Sequence, residues 1–351
     1  MYSSNIRSQR IIRFDVVSLI LSFMVIMIHS SYTYFFPTTD ALDTLINDFY
    51  CDYISGFAVP GFFLLAGIKF FKNYDYGDTR RKIKSRVNTL LLPYIAWNTI
   101  SVIWAIILSY TPGISSFVSV REKFSFSLTN FIGGILWFKY IHPFWFMALL
   151  IIFTVICPLI FTLIRNQYVG IIFIVGLFLL HVFGKFPKTA WPIFQIETIV
   201  YGLCFYMIGG VIGRFHYERF ILKPSNRMAY IAIIEFIAAV IVRSLNVHAL
   251  FIPSILLGLH AIWTLAGMIN DSKSWWLKAS FFVYPAHTFV LPVVNKLISF
   301  ALPKISIMAL FNTGLGTIVT FVICVYLAKM CESILPKRIC AILNGGRRII
   351  E

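Results

Sequence analysis

Between Val16 and Phe36 the chain is almost unbroken apolar sequence, and an apolar run near that length recurs nine more times. A helix rises ~1.5 Å per residue, so about 20 apolar residues cross the hydrocarbon core of a bilayer. The runs lie at about 16–36, 54–71, 89–110, 144–164, 168–183, 195–213, 228–245, 249–269, 279–298 and 307–330. In lipid every backbone polar group must find its partner within the protein, so such runs specify helices. The expectation is an all-α polytopic membrane protein of ten spans, with one membrane-embedded domain over residues 1–351 and no appended soluble domain. A hydrophobic content of 59% and a mean hydropathy of +0.83 exclude an ordinary soluble domain.

The basic residues orient the bundle. A net charge of +16 invites a nucleic-acid reading, but Lys and Arg sit mainly in short connections between the runs. With the N-terminus cytoplasmic, 22 of the 30 fall on the cytoplasmic side and eight outside, which places both termini inside and leaves no nucleic-acid partner. The first outer connection agrees, carrying Asp40, Asp43, Asp48 and Asp52 and no basic residue. Arg7, Arg10 and Arg13 precede the first run as in a signal peptide, but no small-residue cleavage site follows, so that run reads as a retained span. Six cysteines show no CxxC pair and no metal-ligand spacing; they read as reduced, packed thiols, and no metal site is expected. Two outer connections stand out. Residues 111–143 are long and half apolar, like an interfacial or re-entrant lid, and residues 184–194 carry Pro and Trp at an interface.

Four polar groups interrupt the first run: Asp15, Ser18, Ser22 and His29. At ~100° per residue they fall within about 60° of one another, one polar stripe that must face protein or water rather than lipid. His29 lies about 16 Å of helical rise beyond Ser18. A lone intramembrane histidine is either a functional group or one end of an interhelical hydrogen bond, and position alone does not choose.

The surrounding motifs do. Asp15 stands fourteen residues before His29, and GFFLLAG (Gly61–Gly67) follows in the second run. Arg86 leads through TLLL to Pro93-Tyr94, with Trp97 close behind. Trp145-Phe146 opens a run containing ICPLI, FYMIGGVIG (Phe205–Gly213) precedes a basic loop, and SFFVYPAH (Ser280–His287) opens the ninth run. This series, in this order, resembles the acyltransferase 3 family of membrane O-acyltransferases over roughly residues 10–330. The resemblance implies a ten-helix bundle in the cytoplasmic (inner) membrane. It implies transfer of an acyl group, most often acetyl from acetyl-CoA, to a hydroxyl, usually of a cell-surface or lipid-linked glycan. Acetyl-CoA is then a donor substrate, and no bound cofactor is implied. The histidine matching His29 is regarded as essential in the family. Three positions depart from its pattern: Ser18 stands where an arginine is usual, Ala66 where a serine is usual, and His142 lies three residues ahead of Trp145-Phe146 rather than two.

The chemistry fits that resemblance. Transfer from a thioester to an alcohol needs a base for the alcohol proton, and histidine, with an unperturbed pKa near ~6.5, suits the role for His29. His287, ending the Tyr-x-x-His motif, assists His29 or makes a structural hydrogen bond. Asp15, ~21 Å of rise from His29, caps the first helix or orders the cytoplasmic mouth. The cations at Arg80, Arg81, Lys82, Lys84 and Arg86 suit the donor phosphates, Arg86 foremost, or serve as topology signals facing anionic lipid. Lys69, two residues past Gly67, either snorkels or supplies the cation missing at Ser18; Arg13 is a poorer substitute, about 160° around the helix from His29. His142 and Trp145 are candidates for meeting the acceptor sugar, and Trp137, Tyr140 and Trp191 suit either sugar stacking or an aromatic belt. His181, His216, His248 and His260 have no motif around them and receive no role. The competing class is a transporter or flippase, which ten helices and Gly/Pro-broken spans such as Val59-Pro60-Gly61 would also suit.

Overall fold

In the computed structural model, residues 2–30, 48–111, 123–187, 195–217, 224–269, 274–303 and 306–349 are described. Among them the protein is all-α, with no strand. The helices in chain order are α1 (Tyr2–His29), α2 (Ala58–Phe71), α3 (Thr79–Arg86), α4 (Leu92–Tyr110), α5 (Leu128–Leu136), α6 (Trp145–Val155) and α7 (Cys157–Ile164). Then come α8 (Gln167–Phe183), α9 (Ile196–Arg214), α10 (Asn226–Ser244), α11 (Phe251–Ala266), α12 (Ser280–Ala301), α13 (Ser306–Ile334) and α14 (Lys337–Leu343). The ten expected runs are largely helical where they are described, but among the described residues seven helices are long and apolar enough to cross a membrane, or eight if a bent pair is one span.

The differences have local causes. α1 begins at Tyr2 and ends at His29, so the first span is Ile12–His29; residues 31–36 of the expected run lie outside the described residues. The expected span 144–164 is α6 and α7, bent by 71° at Ile156. Pro158 has no N–H to give the carbonyl one turn back and opens α7 instead of continuing α6. α8 has 17 residues, short of a comfortable crossing. α10 has 19 residues but carries Arg227, Glu235 and Arg243, a high charge load for lipid. In the expected lid, residues 112–122 lie outside the described residues. Its described part includes α5, nine residues or ~14 Å, too short to cross, N-capped by the Ser127 hydroxyl on the Asn130 amide at 3.1 Å. Trp191 lies outside the described residues.

The chain divides into two compact units. One gathers Met1–Leu21, Gly56–Arg86 and Ala148–Leu277. Its seam is the pair α2–α9, where glycines let two backbones touch. A Cβ on Gly67 would strike the carbonyl oxygen of Tyr206, one on Gly209 that of Leu64, and one on Gly213 that of Ile68. The GFFLLAG and FYMIGGVIG motifs are therefore two sides of one close helix crossing. The other unit gathers Ser22–Ser55, Val87–Met147 and Lys278–Glu351. There α12 is held at its N-terminal end from three directions. The Asn344 side chain accepts from the Phe282 amide at 3.2 Å and donates to the Lys278 carbonyl at 3.2 Å, capping α12 from far along the chain. Trp97 packs edge-on against Phe282 and donates its indole N–H to the Leu343 carbonyl at 3.0 Å. The Ser22 hydroxyl donates to the Ser280 carbonyl at 2.9 Å.

Candidate active site

The polar stripe of α1 turns inward as its spacing requires. Ser18 and Ser22 are buried, and Asp15 is half-buried. His29 is the last residue of α1 and is exposed, with its ring stacked on that of His287 at 5.3 Å between centroids and 26° between planes. Two contacts thus join α1 to α12, Ser22 to Ser280 and His29 to His287, each step seven residues or two helical turns. The two helices therefore run in the same direction.

His287 is fully buried, and neither of its ring nitrogens has a hydrogen-bond partner among the described residues. It sits between Pro285 and Pro292 inside α12, so the backbone around it is short of N–H donors. Tyr284, one turn earlier, stacks on Phe144 at 5.8 Å with rings 4° from parallel, and its hydroxyl donates to the Pro143 carbonyl. Tyr94 also stacks on Phe144, at 5.7 Å, and donates to the Leu136 carbonyl at 2.7 Å. The motif aromatics of α4, α6 and α12 are thus one packed assembly around the turn that carries His142. His142 itself is exposed and Trp145, opening α6, is half-buried. The carbonyl of Met27, in the last turn of α1, receives the Ser30 hydroxyl at 2.8 Å and the Cys51 thiol at 3.3 Å, which fixes the helix end bearing His29.

The expected donor residues gather in the other unit. The Ser18 hydroxyl donates to the Phe14 carbonyl at 2.7 Å, within its own helix. The Lys69 ammonium lies 4.9 Å from the centre of the Phe14 ring, one turn before Ser18, half-buried in the last turn of α2. Arg86 is half-buried over the Phe70 ring at 5.5 Å. Lys82, grouped with it in the basic run, is instead a helix cap: its ammonium donates to the carbonyls of Phe70 and Lys72 at the end of α2. Arg81 pairs with Asp78 at 2.6 Å. Asp15 is no helix cap, because α1 starts thirteen residues before it.

Arg13 is a further buried cation of this unit. It is 2% exposed, with its guanidinium 5.3 Å from the Trp263 ring centre and against Gly267, where a side chain would overlap it. Gly267 is the C-cap of α11, so the cation lies at the partly negative end of a helix. The one signal in the sequence is a charge abutting an apolar run. All six cysteines are free thiols.

No curated protein and no solved structure matches this chain. The acyltransferase-domain family model matches residues 11–329, from the buried turn of α1 through α13, and covers every motif described above. The chain belongs to the acyltransferase 3 family and is a membrane acyltransferase.

Proposed function

We propose that this protein takes an acyl group, acetyl in the first instance, from acyl-CoA and places it on a hydroxyl of a cell-surface or lipid-linked glycan, with His29 as general base. The observation that carries the reading is the His29–His287 stack, which holds one exposed imidazole against one fully buried one. The exposed ring is the one a substrate can reach; the buried one fixes its plane, which makes His287 a positioning residue. In the reaction His29 removes the hydroxyl proton as the oxygen attacks the thioester carbonyl. The C–O bond forms, the C–S bond breaks, and CoA leaves as thiolate that takes up a proton.

Lys69, at the face of the Phe14 ring, and Arg86, at that of the Phe70 ring, are the donor-binding cations in this reading, while Lys82 caps the end of α2. Ser18 and Asp15 line the same stretch of α1 as Phe14. Exposed His142 and half-buried Trp145 are the acceptor contacts, positioned by the Tyr284–Phe144 stack. α8 and α10, ~25 Å and ~28 Å long by helical rise, cross as well. This gives ten spans, both termini in the cytoplasm and a place in the inner membrane, in keeping with the charge bias of the connections. Mass spectrometry of surface glycans from cells with and without the gene tests the reading. An acetyl increment lost with the gene supports it; an unchanged glycan profile together with gradient-driven solute flux that consumes no CoA would replace it with the transporter.

A further inference from the structure

Three side chains given no role by the sequence meet in the unit containing α8 to α11. His181 lies in the last turn of α8, Glu197 in the first turn of α9, and His248 opens the short 3₁₀ turn His248–Leu250 ahead of α11. One ligand atom from each can be chosen so that all lie within 4.8 Å of one another. His181 is 5% exposed, and both its ring nitrogens lack a hydrogen-bond partner among the described residues. A buried imidazole in that state loses its hydration and gains nothing in return, unless something else binds it. Tyr201 and Phe251 wall it in, with ring centres at 5.4 and 6.2 Å. His248 faces it at 4.8 Å between centroids. The Nδ1 of His248 lies 3.3 Å from the Val182 carbonyl, which can only accept, so Nδ1 carries the proton and Nε2 presents its lone pair. That is the arrangement by which a backbone carbonyl orients a metal-ligating histidine.

We propose that His181, Glu197 and His248 bind a zinc-class divalent transition metal with three protein ligands and water in the fourth position. Two imidazoles and one carboxylate suit zinc rather than calcium or magnesium, which take oxygen ligands. Ligands around tetrahedral zinc stand about 3.4 Å apart, given Zn–N near 2.0–2.1 Å, and rotation of the exposed Glu197 and His248 closes the remaining distance. Such an ion ties the end of α8, the start of α9 and the turn before α11, three segments distant in sequence, and it is independent of the acyl-transfer reading.

The test uses full-length protein purified in detergent with a tag free of histidine, stripped with EDTA and then given zinc chloride. Elemental analysis after desalting is expected to find about one zinc per chain, with a melting temperature that rises as zinc is added. Cobalt in its place should give the visible absorption of a tetrahedral site. His248→Ala and Glu197→Gln alter exposed groups, so they should fold, lose the bound zinc and lose the thermal shift. Stripped protein that takes up no zinc, or variants that keep the wild-type stoichiometry, would overturn the proposal; the second result would place the ion elsewhere, for example on the cysteines.

Discussion

Lys69, in the last turn of α2, lies against Phe14, one turn before Ser18 on α1. Ser18 is bonded back to the Phe14 carbonyl, and the Lys69 ammonium lies 4.9 Å from the centre of the Phe14 ring. If it contacts donor phosphate, Lys69→Met removes a charge-assisted bond and should raise the apparent acyl-CoA KM about tenfold, from ~1.4 kcal/mol. Adding Ser18→Arg should restore part of the affinity, because it returns a cation to the same stretch. Steady-state kinetics against acyl-CoA concentration decide this, and unchanged donor kinetics in Lys69→Met would refute the role. The same scale separates the two histidines. His287→Asn should lower turnover and also melting temperature, because it disturbs a fully buried site. His29→Ala should leave melting temperature near wild type, because that ring is exposed at a helix end.

At the scale of helices, the family's glycines act through backbone proximity. Gly67 and Gly209 each meet a rigid carbonyl of the partner helix, so Gly67→Ala and Gly209→Ala should each cost about 1–3 kcal/mol and lower the melting temperature in detergent. Gly176→Ala, in the middle of α8 with nothing within 4 Å of the added carbon, is the matched control and should not destabilise. Equal losses at all three positions would refute the packing explanation. The N-terminal end of α12 offers a second check. Asn344→Ala removes the acceptor for the Phe282 amide, should cost about 1 kcal/mol as cap losses do, and should lower turnover by loosening the turn that leads to His287.

At the scale of the whole chain, the ten helical stretches were legible in the sequence because each is a long apolar run with charged connections, a signal that survives without tertiary information. Less legible were features made by distant partners. Arg13 reads as one more N-terminal charge until α11 supplies Trp263 and Gly267. Asn344 lies 62 residues from the amide that it caps, and the 71° bend at Ile156 needs the proline's neighbours as well as the proline. The stripe on α1 was readable as a stripe; that it meets Ser280 and His287 was not, since no local spacing relates residues 22 and 29 to 280 and 287. The expected sidedness follows from charge and can be checked with an impermeant maleimide in a cysteine-free background. A cysteine at Lys139 should label from outside intact cells and one at Arg81 should not; labelling at Arg81 would reverse the orientation. The central claim, that this protein transfers an acyl group with His29 as base, is tested most directly with purified wild-type and His29→Ala protein in proteoliposomes. Both are supplied with labelled acetyl-CoA and a glycan acceptor. The account predicts acceptor-dependent transfer of label and release of CoA by the wild type, and background rates from a folded His29→Ala protein. Equal turnover by the two proteins would contradict it.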